Sequence, residues 1–245
     1  MKRLFLILCF AVLAVGVGSA QRVRVMSYNV RNCLGMDNVF NFDRTAAVIS
    51  EVKPDVVAVQ ELDSMTTRNN HYVLGELAKR MGYHDYFAPA IKFRGGKYGI
   101  GVLSKRPALS VATYPLPCRR EPRTMIVVEF EKYYFICTHL SLNEEDRLSS
   151  VKIIRDVVEK LNKPVFLAGD INALPDSRTT KAFLEFMQVL SDTTQNTHRS
   201  NAPSKCIDYI YGRGAKFVKP RTTVIQNSIA SDHLPLYVDL KIKKK

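Results

Sequence analysis

Past Ala20 this chain has no apolar stretch long enough to cross a bilayer as a helix, which excludes an α-helical membrane-spanning body. No two of its cysteines stand in Cys-x-x-Cys spacing, so zinc ribbons and dithiol redox motifs are excluded. Gly-x-Ser-x-Gly, His-Glu-x-x-His and the Gly-x-x-x-x-Gly-Lys phosphate loop are all missing. Acyl transfer at a nucleophile elbow, zinc proteolysis and P-loop chemistry therefore lack support. There is no repeat of fixed period, no composition shift that would mark a second domain, and no tryptophan.

What is present begins with an address. Lys2 and Arg3 precede an apolar run, Leu4 to Val17, and Gly18-Ser19-Ala20 offers small residues for cleavage. That pattern predicts a secretory signal peptide over residues 1–20 and an exported or periplasmic product starting at Gln21. Residues 21–245 suffice for one α/β domain with a substantial core. The formal charge of +13 falls to +11 when Lys2 and Arg3 are removed, and Lys241, Lys243, Lys244 and Lys245 crowd the end of the chain. A basic surface suits polyanions such as nucleic acid or anionic lipid. Cys33, Cys118, Cys137 and Cys206 remain, enough for two bridges with three possible connectivities, or for buried thiols.

Apolar runs and helical stripes alternate along the chain. Strands are predicted at Arg22 to Asn29, Val56 to Val59 running into Gln60-Glu61-Leu62-Asp63, Tyr83 to Pro89, Gly99 to Ser104 and Ala108 to Tyr114. Met125 to Phe130 and Tyr133 to His139 form a hairpin, and later strands follow at Val165 to Asp170, Cys206 to Tyr211, Phe217 to Ile225 and Pro235 to Ile242. Helices are predicted at Asn41 to Val52, Tyr72 to Met81, after the cap Asn143, and from Arg178 to Met187. Arg94-Gly95-Gly96-Lys97 reads as a flexible loop, and Thr193 to Lys205 as a polar surface loop. Strands alternating with helices, then hairpins, imply an α/β fold with mixed sheets.

The chemistry lies at the strand ends. Val165 to Ala168 runs into Gly169-Asp170-Ile171-Asn172, and strand periodicity would send Asp170 and Asn172 to one face. Asn29, Glu61, His139 and Asp208 also close or open apolar runs, and Ser231-Asp232-His233 precedes the last strand. Acids, amides and imidazoles delivered to one sheet edge need partners, so their convergence implies a site. Hard oxygen donors without a Cys/His cluster favour Mg²⁺, Mn²⁺ or Ca²⁺ over Zn²⁺. With two histidines, they suit hydrolysis of a phosphoester.

These segments, in this order, resemble the endonuclease/exonuclease/phosphatase superfamily. The resemblance rests on Ser27-Tyr28-Asn29, Val59-Gln60-Glu61, Tyr98-Gly99, Thr138-His139-Leu140, Gly169-Asp170-Ile171-Asn172, Ile207-Asp208-Tyr209 and Ser231-Asp232-His233-Leu234-Pro235. It implies a four-layer α/β sandwich with two facing mixed β-sheets. It implies a divalent metal at Glu61, completed or supported by Asn29 and Asp232. Asp170 would orient or deprotonate water, Asn172 would position water or phosphate, His139 and His233 would bracket the phosphate, and Asp208 would orient one of the two histidines. The expected product is a monomeric phosphodiesterase, without membrane insertion. It would act on nucleic acid or on a phospholipid or inositol-phosphate headgroup, and Arg119, Arg120 and Arg123 would serve as a phosphate track in the first case. A non-catalytic binding protein on this fold would be expected to have lost residues such as Glu61, Asp170 or His233, and none is lost. Three departures weaken the DNA-repair branches: Ile100 where many members carry an amide, Asp63 where the deoxyribonuclease branch carries arginine, and the absence of tryptophan.

Overall fold

Two mixed sheets lie face to face. The computed structural model describes residues 21–243, so the expected signal peptide and the last two lysines lie outside the described residues. The first sheet contains β1 (Gln21–Asn29), β2 (Val56–Thr66), β3 (Asn69–Tyr72), β4 (His84–Phe93), β5 (Gly96–Ser104), β12 (Lys216–Val224) and β13 (Leu236–Lys243). Its order is β12-β13-β1-β2-β5-β4, with β3 on β2. The second contains β6 (Ser110–Leu116), β7 (Arg123–Glu129), β8 (Tyr134–His139), β9 (Val165–Asp170), β10 (Gln188–Val189) and β11 (Asp208–Arg213), ordered β10-β11-β9-β8-β7-β6. One parallel pair sits inside each sheet, β1 with β2 and β8 with β9, and their neighbours run antiparallel.

Alternation along each strand builds three apolar layers. In β1, Val23 and Val25 face the second sheet while Met26 and Tyr28 face outward. Val238 and Leu240 of β13 join the inner layer against Phe135, Cys137, Phe166 and Ala168. Helices α1 (Phe42–Val52) and α2 (Val73–Met81) cover the outer side of the first sheet through Ile49, Leu74 and Leu77. Helices α3 (Glu144–Val158) and α4 (Arg178–Leu184) cover the second through Val151, Ile154 and Phe183. The result is the expected four-layer α/β sandwich. The helix ends follow local chemistry: Asn41 accepts from the Arg44 amide, Asn143 from those of Glu145 and Asp146, and Gly82 closes α2 with a left-handed φ of 65°.

Three expectations change. Arg94 to Lys97 is a tight turn rather than a flexible loop. Phe93 pairs with Gly96, and Arg94 and Gly95 take φ of 45° and 81°, the handedness that suits a two-residue hairpin. The last helix stops at Leu184 because the Phe186 and Met187 amides turn back onto the Phe183 carbonyl and lead into β10. Thr193 to Lys205 is not a surface loop throughout: Thr197 and Ser200 are buried, the Thr197 carbonyl accepts from Leu234, and Ser200 donates to the Asp232 carbonyl. Cys33, Cys137 and Cys206 are buried free thiols, and the half-buried Cys118 is free as well.

Candidate active site

Register explains the convergence. His139, Asp170 and Asp208 are directly opposite one another on β8, β9 and β11, so one row of the second sheet carries an imidazole and two acids. That row forms only because β8 and β9 approach closely, and a side chain at Gly169 would collide with the Thr138 carbonyl. From the first sheet, Asn29 ends β1 on the inner face opposite Gln60. Glu61 follows at a β-bulge, where pairing with β5 skips from Val59 to Leu62 and φ of Glu61 is 60°. A bulge re-aims one side chain without disturbing its strand, and here it turns a carboxylate toward the opposing sheet.

Asp170 is where the two sheets meet. Its Oδ2 accepts from Asn29 Nδ2 at 3.2 Å and lies 3.4 Å from His139 Nε2 and 3.6 Å from His233 Nε2. Asn29 Nδ2 also donates to Glu61 Oε1 at 3.0 Å, and Asn29 Oδ1 accepts from the Arg31 amide. The Asn29 amide nitrogen thus braces one carboxylate from each sheet. Asn172 arrives by a different route from the one periodicity predicts. β9 ends at Asp170, Asn172 has φ of 53°, and its amide donates to Asp170 Oδ1 while Nδ2 donates to the Leu140 carbonyl. The two residues share the site through a turn, not through strand alternation.

Asp208 orients His233. Its Oδ2 lies 2.8 Å from His233 Nδ1 and also accepts from Thr197 Oγ1 at 2.6 Å. The histidines differ in charge. Burial and the Arg123 charge drive the His139 pKa well below its ordinary value, so its contact with Asp170 is not an ion pair. Burial also opposes charge on His233, but Asp208 and Asp170 outweigh it and lift the imidazole to about 10. Burial and the neighbouring Asp208 push Asp170 above the usual carboxylate range. Burial, then Asp232, push Glu61 upward against the hydrogen bond from Asn29.

Glu61, His139, Asp170, Asn172, Asp232 and His233 line a pit of about 470 Å³ that also takes in Tyr98, Arg123, His198 and Lys205, with Asn29 and Asp208 behind its wall. Arg123 belongs to the site rather than to an open phosphate track. Its side chain is 10% exposed, bonded to Glu121 at 2.5 Å and 3.4 Å from His139 Nδ1, with Nε buried and unpartnered. In an antiparallel hairpin the start of β7 lies beside the end of β8, so strand starts deserve the same scrutiny as strand ends. Lys205, just before β11, repeats the pattern. His198 carries no local signal; its ring centroid is 4.7 Å from that of His233 because backbone pairing ties the two residues together. His71 and His84 stay outside the pit. Asp63 is fully buried and fixes Arg68 through bonds of 2.7 and 2.8 Å, with Arg68 lying over Phe93 and Tyr98. Ile100 packs between the sheets.

Two donor sets could hold a cation. Ligand atoms of Asp170, Asp208 and His233 lie within 4.8 Å of one another. There, however, Asp208 Oδ2 is already engaged by His233 Nδ1 at 2.8 Å and by Thr197 Oγ1 at 2.6 Å. Glu61 and Asp232 fit better. Asp232 raises the cost of charge on Glu61, and the cation nearest Asp232, Arg31, stands 3.9 Å away. Hard carboxylate oxygens short of positive charge suit a divalent ion.

The comparisons follow the same outline. The fold is that of an endonuclease/exonuclease/phosphatase from Beutenbergia cavernae DSM 12333, at TM-score 0.78 and 22% identity over 90% of this chain and 72% of that one. It is also that of the mannosyl-6-phosphatase Bt3783 from Bacteroides thetaiotaomicron VPI-5482, at 0.73 and 17% over 89% and 99%. Truncated TDP2 from Caenorhabditis elegans matches at 0.66 and 18% over 90% and 97%. No curated protein sequence matches the chain. The sequence profile described as the Endonuclease/Exonuclease/phosphatase family covers residues 26–233, from within β1 to His233. On that match and the shared fold, the chain belongs to the endonuclease/exonuclease/phosphatase family.

Proposed function

We propose that this protein is an exported, divalent-metal-dependent phosphodiesterase. One observation carries the reading: a buried carboxylate, Asp170, flanked by a neutral and a charged imidazole and braced by an amide that also holds Glu61. Glu61 and Asp232 would hold Mg²⁺, Mn²⁺ or Ca²⁺, which when bound offsets charge on a phosphoryl oxygen. Asp170, its proton affinity raised by burial, takes the proton from the attacking water. Asn172, fixed to Asp170 and Leu140, positions that water. His233, kept charged by Asp208, donates to a phosphoryl oxygen, and neutral His139 donates to a second.

A diester fits the charge supply. Arg123 is offset by Glu121, which leaves His233 and Lys205 to meet the substrate, a modest count suited to a singly charged phosphate. Leu142 and Leu174 on the rim, 78% and 45% exposed, suit an apolar ester substituent. They favour a soluble aryl or other apolar diester over a polynucleotide. The likeness to a mannosyl-6-phosphatase supports a second reading, a sugar-phosphate monoesterase. Turnover of bis-p-nitrophenyl phosphate against p-nitrophenyl phosphate, with Mg²⁺ or Mn²⁺ and after chelation, tests both. Metal-stimulated preference for the diester is expected, preference for the monoester selects the second reading, and no metal-stimulated turnover overturns both. Export rests on the Leu4 to Val17 run, and N-terminal sequencing of the secreted product should begin at Gln21.

A further inference from the structure

The far end of the first sheet carries a face the catalytic reading leaves unused. The outward positions of β1 change from Tyr28 and Met26, beneath α1, to Arg24 and Arg22, where α1 stops and the Arg24 guanidinium reaches the Val52 carbonyl. There a cleft of about 800 Å³ opens beside β12, β13 and β1, and eight of its thirteen lining residues are Lys or Arg against two Asp. Both acids are already engaged, Asp239 by Arg24 at 2.7 and 2.8 Å, and Asp55 by the Arg24 amide and Lys105. Arg22, Lys219, Lys241 and Lys243 are exposed and form no ion pair among the described residues.

Register makes the arrangement costly for the free protein. Arg22 stands directly opposite Lys241, and Lys216 directly opposite Lys243. Like charges facing each other across neighbouring strands destabilise a sheet. An external anion would offset that cost. We propose that it docks on an anionic phospholipid surface, with the catalytic pit turned away from the bilayer.

Three observations select a bilayer over a polynucleotide. The cations spread across three strands as a two-dimensional array, and the lining holds no aromatic ring on which a base could stack. The face lies seven residues along β1 from Asn29, roughly 23 Å at the rise of a strand, so a polynucleotide held here would run past the wrong pole. With no exposed apolar side chain in the cleft, adsorption is electrostatic and screened by salt.

The test compares the product starting at Gln21 with its triple variant, Arg22→Glu, Lys219→Glu and Lys243→Glu, which turns both like-charged pairs into opposite-charged ones. Co-sedimentation uses vesicles of phosphatidylcholine and of an equimolar phosphatidylcholine–phosphatidylglycerol mixture. Both proteins lack the Leu4 to Val17 run, so the ratio between them reads the face. The native chain should prefer anionic vesicles at low ionic strength, and the variant should bind them at least about tenfold more weakly. Hydrolysis of bis-p-nitrophenyl phosphate should be unchanged. Equal binding by variant and native chain, or no preference for anionic vesicles, overturns the proposal. So does duplex DNA that displaces the native chain from vesicles and is itself lost by the variant, because the face then belongs to a polynucleotide. If neither protein hydrolyses the diester, the catalytic reading fails while the vesicle result stands.

Discussion

The two ends of the first sheet handle charge in opposite ways. At the Asn29 end, Asn29, His139, Asp170, Asp208 and His233 are buried and each has a partner from another segment or the other sheet. At the Arg22 end, cations are exposed and face one another. A buried polar group must be satisfied within the fold or it costs stability, whereas an exposed like-charged pair is tolerated at modest cost when something outside the fold will cover it. The first end is held by its own hydrogen bonds, with Glu61 and Asp232 left for a cation, while the second keeps like charges opposite each other across neighbouring strands.

Substitutions at the two ends should differ in sign as well as size. The largest effect is expected from Asp170→Asn or His233→Ala, each lowering kcat by about a thousandfold or more with the fold retained. Near-normal turnover by a well-folded variant would take that residue out of the mechanism. Glu61→Gln should come next, raising the metal concentration for half-maximal rate at least about tenfold; an unchanged metal titration would move the ion to the Asp170, Asp208 and His233 set.

Asp208→Asn should act through pH. The folded-state pKa of His233, at about 10, stands above its unfolded value near 6.5. The stability this confers is fully present below about 6.5 and is lost as pH rises toward 10. Asp170, also raised, adds a loss in the same direction at lower pH. Unfolding of the chelated native protein from pH 6.5 to 10 should therefore show a decline that Asp208→Asn flattens, and equal slopes would refute the orienting pair. The smallest effect belongs to the other end. Arg22→Glu, placed opposite Lys241, should raise stability by about 0.2–1 kcal/mol, or Tm by roughly 1–3 °C. A lower Tm would break the comparison, since the exposed cations would then be stabilising the free protein.

Much of the site could be read from strand ends, because an apolar run that stops at an acid or imidazole marks where a sheet meets solvent. Asn29, Glu61, His139 and Asp170 carried that mark, Asp208 and His233 stood at or before strand starts in the same polar pattern, and all lie in or directly behind one pit. Arg123 and Lys205 carried its mirror image at strand starts. Glu61 and Asn172 reach the site through left-handed backbone, at a bulge and a turn, which no periodicity encodes. His198 had no local signal at all, since only its pairing with His233 brings it in. Likewise, Asp63 as a buried anchor for Arg68 reads from sequence only as a departure from relatives.

The sequence alone determined the strands, the capped helices, the layered α/β architecture and the identities of the polar groups at the site. Those properties depend on neighbours a few residues apart, through alternation, helical stripes and caps. The tertiary structure decided which histidine Asp208 holds, which imidazole is charged, and which cations face one another at the far pole. These depend on strand register and on burial, and both are set only when segments distant in the chain come together in the two sheets.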